Sequence, residues 1–241
     1  MRPRIALVIP TLNEAASIGT VVAEIPRALI DEIIVADGGS TDETCARAAH
    51  AGAKVVAAGR GYGRACLAGA LAAQEADIIV FMDGDGADDP AILGAMLGPL
   101  AADRVDFVIG SRTRGDPAAH SLGRHQRWAG LGLGWAMGLL YGVRYTDMCA
   151  LRAIRRDVLL SLGMCEMTYG WNLEMQMRVA RSGRRVLELP VDNRLRLGGA
   201  SKVAGSFGGS MRAGARIVAT FGRLLLAPRP VPASGPRAAR P

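Results

Sequence analysis

The sequence predicts an α/β fold with a mostly parallel central sheet flanked by helices. Three observations predict it. Short β-branched runs alternate with segments that read as helices over the first 110 residues, which is the pattern of βαβ units. The runs, such as Ile78–Met82, are apolar throughout, as strands buried on both faces are. The loops rich in Gly, Asp and Asn all follow strand ends, where open α/β sheets bind ligands.

Taken in order, Ile5–Ile9, Glu32–Ala36, Lys54–Ala57, Ile78–Met82 and Phe107–Ile109 read as strands. Between them Glu14–Ala28, Asp42–Ala51, Tyr62–Glu75 and Pro90–Ala101 read as helices. Ser40-Thr41-Asp42-Glu43 offers N-caps to the second helix, and Pro90 suits the first position of the fourth. After Gly110 the pattern changes. Ser111–His125 is a polar, basic loop, and Arg127–Leu140 reads as a helix despite its glycines. Asp157–Leu162 and Trp171–Ser182 read as short helices and Arg185–Pro190 as a strand. Ser206–Leu226 carries Arg212, Arg216 and Arg223 among apolar residues. It reads as a basic amphipathic helix whose apolar stripe either packs on the body or lies on a membrane. The expected organisation is a catalytic domain over 1–205, the basic helix over 206–227 and a disordered tail over 228–241.

Charge is divided unevenly along the chain. Residues 1–109 hold 8 basic and 15 acidic side chains, and residues 110–241 hold 21 basic and 7 acidic. An acidic half suited to a metal therefore precedes a basic half suited to anions. Few aromatics interleave the basic residues, so nucleic acid is not expected as a partner. A phosphorylated substrate and an anionic membrane surface remain. Cys45, Cys66, Cys149 and Cys165 lack paired spacing and read as reduced thiols. The chain enters a strand at Ile5 without a leader, and no apolar stretch reaches the ~20 residues of a spanning helix. The expected location is cytoplasmic, with peripheral contact to the cytosolic membrane face; the oligomeric state is left open.

Four loops carry the chemistry. Asp83-Gly84-Asp85 places two carboxylates at the end of the fourth strand. Such hard oxygen ligands suit Mg²⁺ or Mn²⁺ shared with substrate phosphates. Pro10-Thr11-Leu12-Asn13-Glu14 ends the first strand and either receives a nucleotide or is an ordinary helix start capped by Asn13. Asp37-Gly38-Gly39-Ser40-Thr41-Asp42 ends the second and is either only a turn or a place where glycine lets a ligand approach the backbone, with Asp37 on a base or ribose. Gly59-Arg60-Gly61-Tyr62-Gly63-Arg64 resembles a phosphate loop, with Gly63 a donor contact. Its position after the third strand argues against a dehydrogenase.

These segments, with Gly110-Ser111-Arg112, Tyr145-Thr146-Asp147-Met148-Cys149-Ala150, Gly170-Trp171-Asn172-Leu173-Glu174 and Arg196-Leu197-Gly198-Gly199-Ala200-Ser201-Lys202, resemble the family 2 glycosyltransferases. More narrowly, they are similar to the dolichyl- or polyprenyl-phosphate sugar synthases. The resemblance implies a GT-A fold, a nucleotide-sugar donor such as GDP-mannose or UDP-glucose, and a divalent metal. It implies that Pro10, Thr11, Asn13, Glu14, Asp37 and Gly38 hold the nucleotide. Asp83, Gly84 and Asp85 would serve the diphosphate and metal, with Asp85 the direct ligand. Arg196, Ser201 and Lys202 would close over the diphosphate. Arg112 would face the sugar phosphates or the acceptor phosphate; Arg124 and Trp171 are further acceptor candidates. The Gln that assists the metal in several polyprenyl-phosphate mannosyltransferases is Ala87 here, with Asp88 and Asp89 beside it.

The expected reaction is inverting transfer of a hexose to a polyprenyl or dolichyl phosphate. A phosphate acceptor is already anionic. A hydroxyl acceptor needs a carboxylate base, for which Asp147 and Glu174 are the candidates. Glu174 also suits a salt bridge with Arg178 on one helix face. Trp135 is expected in the core, and Trp171 either in the core or in an acceptor groove. The alternatives are a soluble family member using a small phosphorylated or hydroxylated acceptor, a nucleotidyltransferase, and a non-enzymatic binding domain.

Overall fold

The computed structural model describes residues 2–115, 124–198 and 207–226. Seven strands form one sheet in the order β3-β2-β1-β4-β6-β5-β7. They are β1 (Ile5–Thr11), β2 (Glu32–Asp37), β3 (Lys54–Ala57), β4 (Ile78–Phe81), β5 (Phe107–Ser111), β6 (Arg152–Arg155) and β7 (Val186–Pro190). The helices are α1 (Ile18–Glu24), α2 (Thr44–His50), α3 (Tyr62–Ala72), α4 (Leu93–Ala101), α5 (Arg124–Tyr141), α6 (Arg156–Ser161), α7 (Trp171–Arg181) and α8 (Phe207–Leu226).

All pairings are parallel except those of β6, which runs antiparallel to both β4 and β5. β1, β4 and β5 are buried along their whole length, as their unbroken apolar runs require. From β1 the chain winds outward through β2 and β3, then returns to place β4 on the other side of β1. The crevice between the C-terminal ends of β1 and β4 is thus a topological switch point.

The sequence did not predict β6. It is four residues long, and Arg152 and Arg155 bound it. Its backbone pairs Phe81 with Arg152 and Ile109 with Arg152. Because β6 is reversed, its entering loop, residues 145–151, lies at the edge where β4 and β5 leave the sheet. A wholly parallel sheet would have put that loop at the opposite edge.

Helix boundaries moved where turn chemistry intervenes. The first helix starts at Ile18 rather than Glu14, because Asn13 takes a left-handed φ of 51° and residues 15–17 turn. Pro26 ends it early. The fourth begins as a 3₁₀ turn, Pro90–Ile92, capped by the Asp89 side chain accepting from Ala91 N at 2.9 Å.

Helix α3 lies directly on β1 and β2. A Cβ on Gly69 would strike the Val8 side chain. Gly69→Ala should therefore overpack this contact and cost about 1–3 kcal/mol of stability, read from the midpoint of urea denaturation at unchanged slope.

Candidate active site

The β1 and β2 loops are tied together before any ligand arrives. Thr11 pairs with Asp37 in the sheet, and its hydroxyl donates to Asp37 Oδ1 at 3.3 Å. Asp37 also accepts the backbone N–H groups of Gly39 and Ser40 at 2.9 and 2.8 Å, and the Ser40 hydroxyl. Burial alone would push its carboxyl up, but these bonds hold it below the usual range. Asn13 is a strut across the loops, not a cap. Its N–H donates to Ser40 Oγ and its Oδ1 accepts from Thr41 N, both at 2.8 Å. Glu14 N donates to Thr44 Oγ1 at 2.8 Å. Pro10 is buried at the end of β1, and Gly38 N donates to Thr11 O at 2.8 Å.

At the end of β4, three carboxylates converge. Asp88 Oδ2 accepts from Asp83 N at 3.1 Å, which folds the turn back on itself. Gly84 O accepts from the Ser17 hydroxyl at 2.7 Å. Burial and the Asp85 charge push the Asp83 carboxyl up to about 6, against a hydrogen bond from Tyr62 OH and the charges of Arg112 and Arg196. Burial and Asp83 push Asp88 up to about 7. Like charges held together in a semi-dry crevice resist ionising. Asp83 and Asp85 therefore fit a hard divalent cation in donor chemistry, and the crowding around Asp83 leaves negative charge for it to offset. Among the described residues no group of three or more His, Cys, Asp or Glu side chains forms a metal cage.

A strip of the C-terminal half covers this turn. Arg194 N donates to Ala87 O at 2.8 Å, and Leu197 N to Asp85 O at 3.0 Å. Arg194 also bridges Glu24 and Asp89, at 2.9 and 2.6 Å. These ties bring the Arg196 guanidinium to 3.0 Å from Asp85 Oδ2. Ser201 and Lys202 lie outside the described residues, as do the Arg124 side chain and the segment 228–241.

Arg112 leaves the end of β5 and is gripped by Asp147, which β6 delivers to the same edge. Arg112 N, Nε and Nη2 donate to the two Asp147 oxygens at 3.0, 2.7 and 2.9 Å. Met148 N donates to Asp147 Oδ1 at 2.7 Å, and Gln176 Nε2 donates to the Asp147 carbonyl at 2.8 Å. Asp147 is thus an orienting carboxylate with its lone pairs engaged, and not a base awaiting a proton. The paired guanidinium keeps its charge despite burial.

Several expectations need correcting. Glu174 is fully buried and accepts from Cys165 N at 3.0 Å, Glu166 N at 2.6 Å and Arg178 Nε at 2.9 Å. Burial raises its carboxyl, yet these donors bring it below its ordinary value. Its i,i+4 pair with Arg178 is the structural role, and a base role has no geometry behind it. Trp171 is also fully buried, edge-on to Phe81 at 6.2 Å between ring centres. It faces no acceptor, whereas Trp135, expected in the core, is 59% exposed. Gly63 is glycine for packing: a Cβ there would strike the Glu166 and Met167 backbone, and one on Gly61 the Met167 carbonyl. This close approach lets Arg64 N donate to Met167 O at 3.0 Å.

Four residues in these loops and the packing around them escaped the sequence reading. Tyr62 donates to Asp83 Oδ1 at 3.2 Å, and Ser17 supports Gly84. Arg152 is fully buried at the start of β6, its guanidinium donating to the carbonyls of Asn172 at 3.0 Å and of Cys149. Glu166 is buried and pairs with Arg216 Nε, 3.1 Å from each carboxylate oxygen. Nothing in local pattern marks any of them; Arg152 in particular violates the rule that charge stays outside.

Residues 6–163 match the family model described as Glycosyl transferase family 2. The chain is 38% identical over 212 residues to an uncharacterized glycosyltransferase of Mycobacterium tuberculosis, covering 86% of this chain and 93% of that one. It is 32% identical to the undecaprenyl-phosphate mannosyltransferase of Micrococcus luteus, covering 86% and 90% of the two chains. A crystal structure of glucosyl-3-phosphoglycerate synthase from Mycobacterium tuberculosis, in complex with Mn²⁺, UDP-glucose and phosphoglyceric acid, superposes with a TM-score of 0.71. Identity is 25%, over 94% of this chain and 81% of that one.

The crowded carboxylates make stability depend on pH in a definite direction. With Asp83 at about 6 and Asp88 at about 7, the folded state holds protons that the unfolded chain releases near pH 4. Metal-free protein should therefore lose stability as pH rises between those values. Thermal melts in chelator should show this slope flattened in Asp88→Asn, and added Mn²⁺ should restore stability at neutral pH in the wild type.

Proposed function

This chain belongs to the family 2 glycosyltransferases and has their GT-A architecture, and on that premise we propose that it moves a hexosyl group from a nucleoside-diphosphate sugar to a phosphorylated acceptor. The observation that carries this reading is the meeting, at one sheet edge, of the Asp83–Asp85 pair with an Arg112 guanidinium locked by Asp147.

In this reading the nucleoside lies over the β1 and β2 loops, against Pro10, Thr11, Asn13, Glu14, Asp37 and Gly38. Asp83 and Asp85 hold Mg²⁺ or Mn²⁺, which supplies positive charge against the departing diphosphate. Arg196, paired with Asp85 in the absence of donor, exchanges that carboxylate for diphosphate oxygens; Ser201 and Lys202 follow in the same strip. The Arg196 side of the pair is partly exposed while Asp85 is buried, so the exchange has to leave Asp85 another positive partner, which the metal would be. Arg112 faces the acceptor phosphate. Because Asp147 fixes the guanidinium plane, its charge is aimed before the reaction begins, where preorganised electrostatics contribute most.

The first reading of the acceptor is a small phosphorylated molecule. It is supported by the likeness to an enzyme crystallised with Mn²⁺, UDP-glucose and phosphoglyceric acid. A polyprenyl phosphate is the second. It is favoured by the match to a mannosyltransferase along nearly the whole chain, and by the engagement of both candidate bases, Asp147 and Glu174. A phosphate oxygen needs no base.

Release of nucleoside diphosphate from UDP-glucose or GDP-mannose with Mn²⁺ should depend on 3-phosphoglycerate or glycerol 3-phosphate. Turnover only with undecaprenyl phosphate would select the second reading, and none with any of these would remove both. Asp85→Asn should lower the rate by about 10²–10³-fold. Asp147→Asn should lower it on the order of 100-fold through misplacement of Arg112, with donor binding by calorimetry preserved.

A further inference from the structure

Asp83 is held differently from the carboxylates around it. Asp85 Oδ1 accepts from Ala87 N at 2.9 Å, and its Oδ2 is paired with Arg196 at 3.0 Å. Both oxygens of Asp147 are taken by the Arg112 guanidinium. Among the described residues the Asp83 carboxylate accepts one hydrogen bond, on Oδ1, from the Tyr62 hydroxyl at 3.2 Å, and its Oδ2 accepts none. The donor is also uncharged. A guanidinium in its place would hold the carboxylate but offset its charge, as Arg112 does at Asp147. A phenol orients one oxygen and leaves the negative charge for a ligand.

Tyr62 is mounted firmly enough for this role. It is the first residue of α3 and stands between Gly61, whose φ is 128°, and Gly63. The loop of residues 163–170 lies against both glycines: a Cβ on Gly61 would strike the Met167 carbonyl oxygen, and one on Gly63 that of Glu166. Arg64 N donates to Met167 O at 3.0 Å on the next residue. The loop is fixed from its other side, where the buried Glu174 accepts from Cys165 N and Glu166 N, and the Glu166 side chain receives Arg216 of α8. The glycine-rich turn over residues 59–64 thus admits a neighbouring backbone, and that close packing sets where the Tyr62 ring leaves the helix.

We infer that Tyr62 is a positioning residue for the metal site: its hydroxyl fixes Asp83 by Oδ1 so that Oδ2 is offered to the divalent cation, directly or through one of the ion's waters. Partners that hydrogen-bond a metal's carboxylates set the orientation of those carboxylates, and losing one typically costs about 10–100-fold in metal affinity. The inference rests on the donor site proposed above and adds to it a residue that does not itself touch the ion.

The test is Mn²⁺ uptake by the full chain, read from the electron paramagnetic resonance signal of the free ion, with UDP or GDP present and no sugar. Tyr62→Phe keeps the ring and removes the hydroxyl. It should weaken Mn²⁺ binding about tenfold while keeping the wild-type circular dichroism. In an Asp83→Ala background the same change should alter the affinity less than about twofold, because no carboxylate is left to orient; a general loosening of the fold would weaken both backgrounds alike. Equal Mn²⁺ binding by wild type and Tyr62→Phe would overturn the inference and leave the metal site standing. An equal loss in the two backgrounds would also overturn it. Wild type that takes up no Mn²⁺ with either nucleotide would remove the metal reading itself, and this inference with it.

Discussion

Electrostatic repulsion among carboxylates at the end of β4 is the constraint around which the molecule is arranged. Asp83, Asp85 and Asp88 sit within one tight turn, and burial deprives them of the water that would screen them. Every element that reaches this edge brings something to offset the charge. The start of α3 brings the Tyr62 hydroxyl, the end of β5 brings Arg112, and the strip after β7 brings Arg196. The acidic first half and basic second half of the chain are thus complementary parts of one site. Their charges partly cancel, and a divalent cation with its diphosphate would complete the balance.

Asp147 and Glu174 show how burial changes the chemistry of a carboxylate. Both belong to motifs shared with transferases, and both have the residue type of a general base. Yet each is filled with donors, Asp147 by Arg112 and Met148, Glu174 by Arg178 and the backbone of residues 165 and 166. A carboxylate that already accepts several charge-assisted bonds is a poor proton acceptor. Their contribution is positional: one holds the Arg112 guanidinium in place, the other anchors α7 to the loop of residues 163–170.

That loop links distant parts of the protein. Its Glu166 side chain receives α8, while its Glu166 and Met167 backbone lies against Gly61 and Gly63 at the start of α3. Between those glycines is Tyr62, which touches Asp83. A continuous set of contacts therefore runs from the C-terminal helix to the carboxylate pair. Buried charge also sets the direction α8 faces, because leaving Glu166 without Arg216 would cost more than exposing a few aliphatic side chains.

Much of this was legible in the sequence. The five leading strands, the helices between them and the loops bearing Asp37, Asp83, Asp85 and Arg112 follow from local periodicity and turn residues, because each is decided by neighbours within a few positions. What the sequence did not reveal was decided at long range. β6 is four residues with an arginine at each end, and it becomes a strand only because β4 and β5 leave a slot for it. Its reversed direction puts Asp147 on Arg112, 35 positions away in sequence. Trp135, expected in the core, is exposed, and Trp171 takes the core rather than the groove, because exposure depends on which helix face is covered, which the residue type does not specify. By itself the sequence determined the fold class and the carboxylates of the site. Only the tertiary structure decided which of those charges are paired, which are left to meet a ligand and which way the last helix turns, because pairing depends on distances that chain order does not contain.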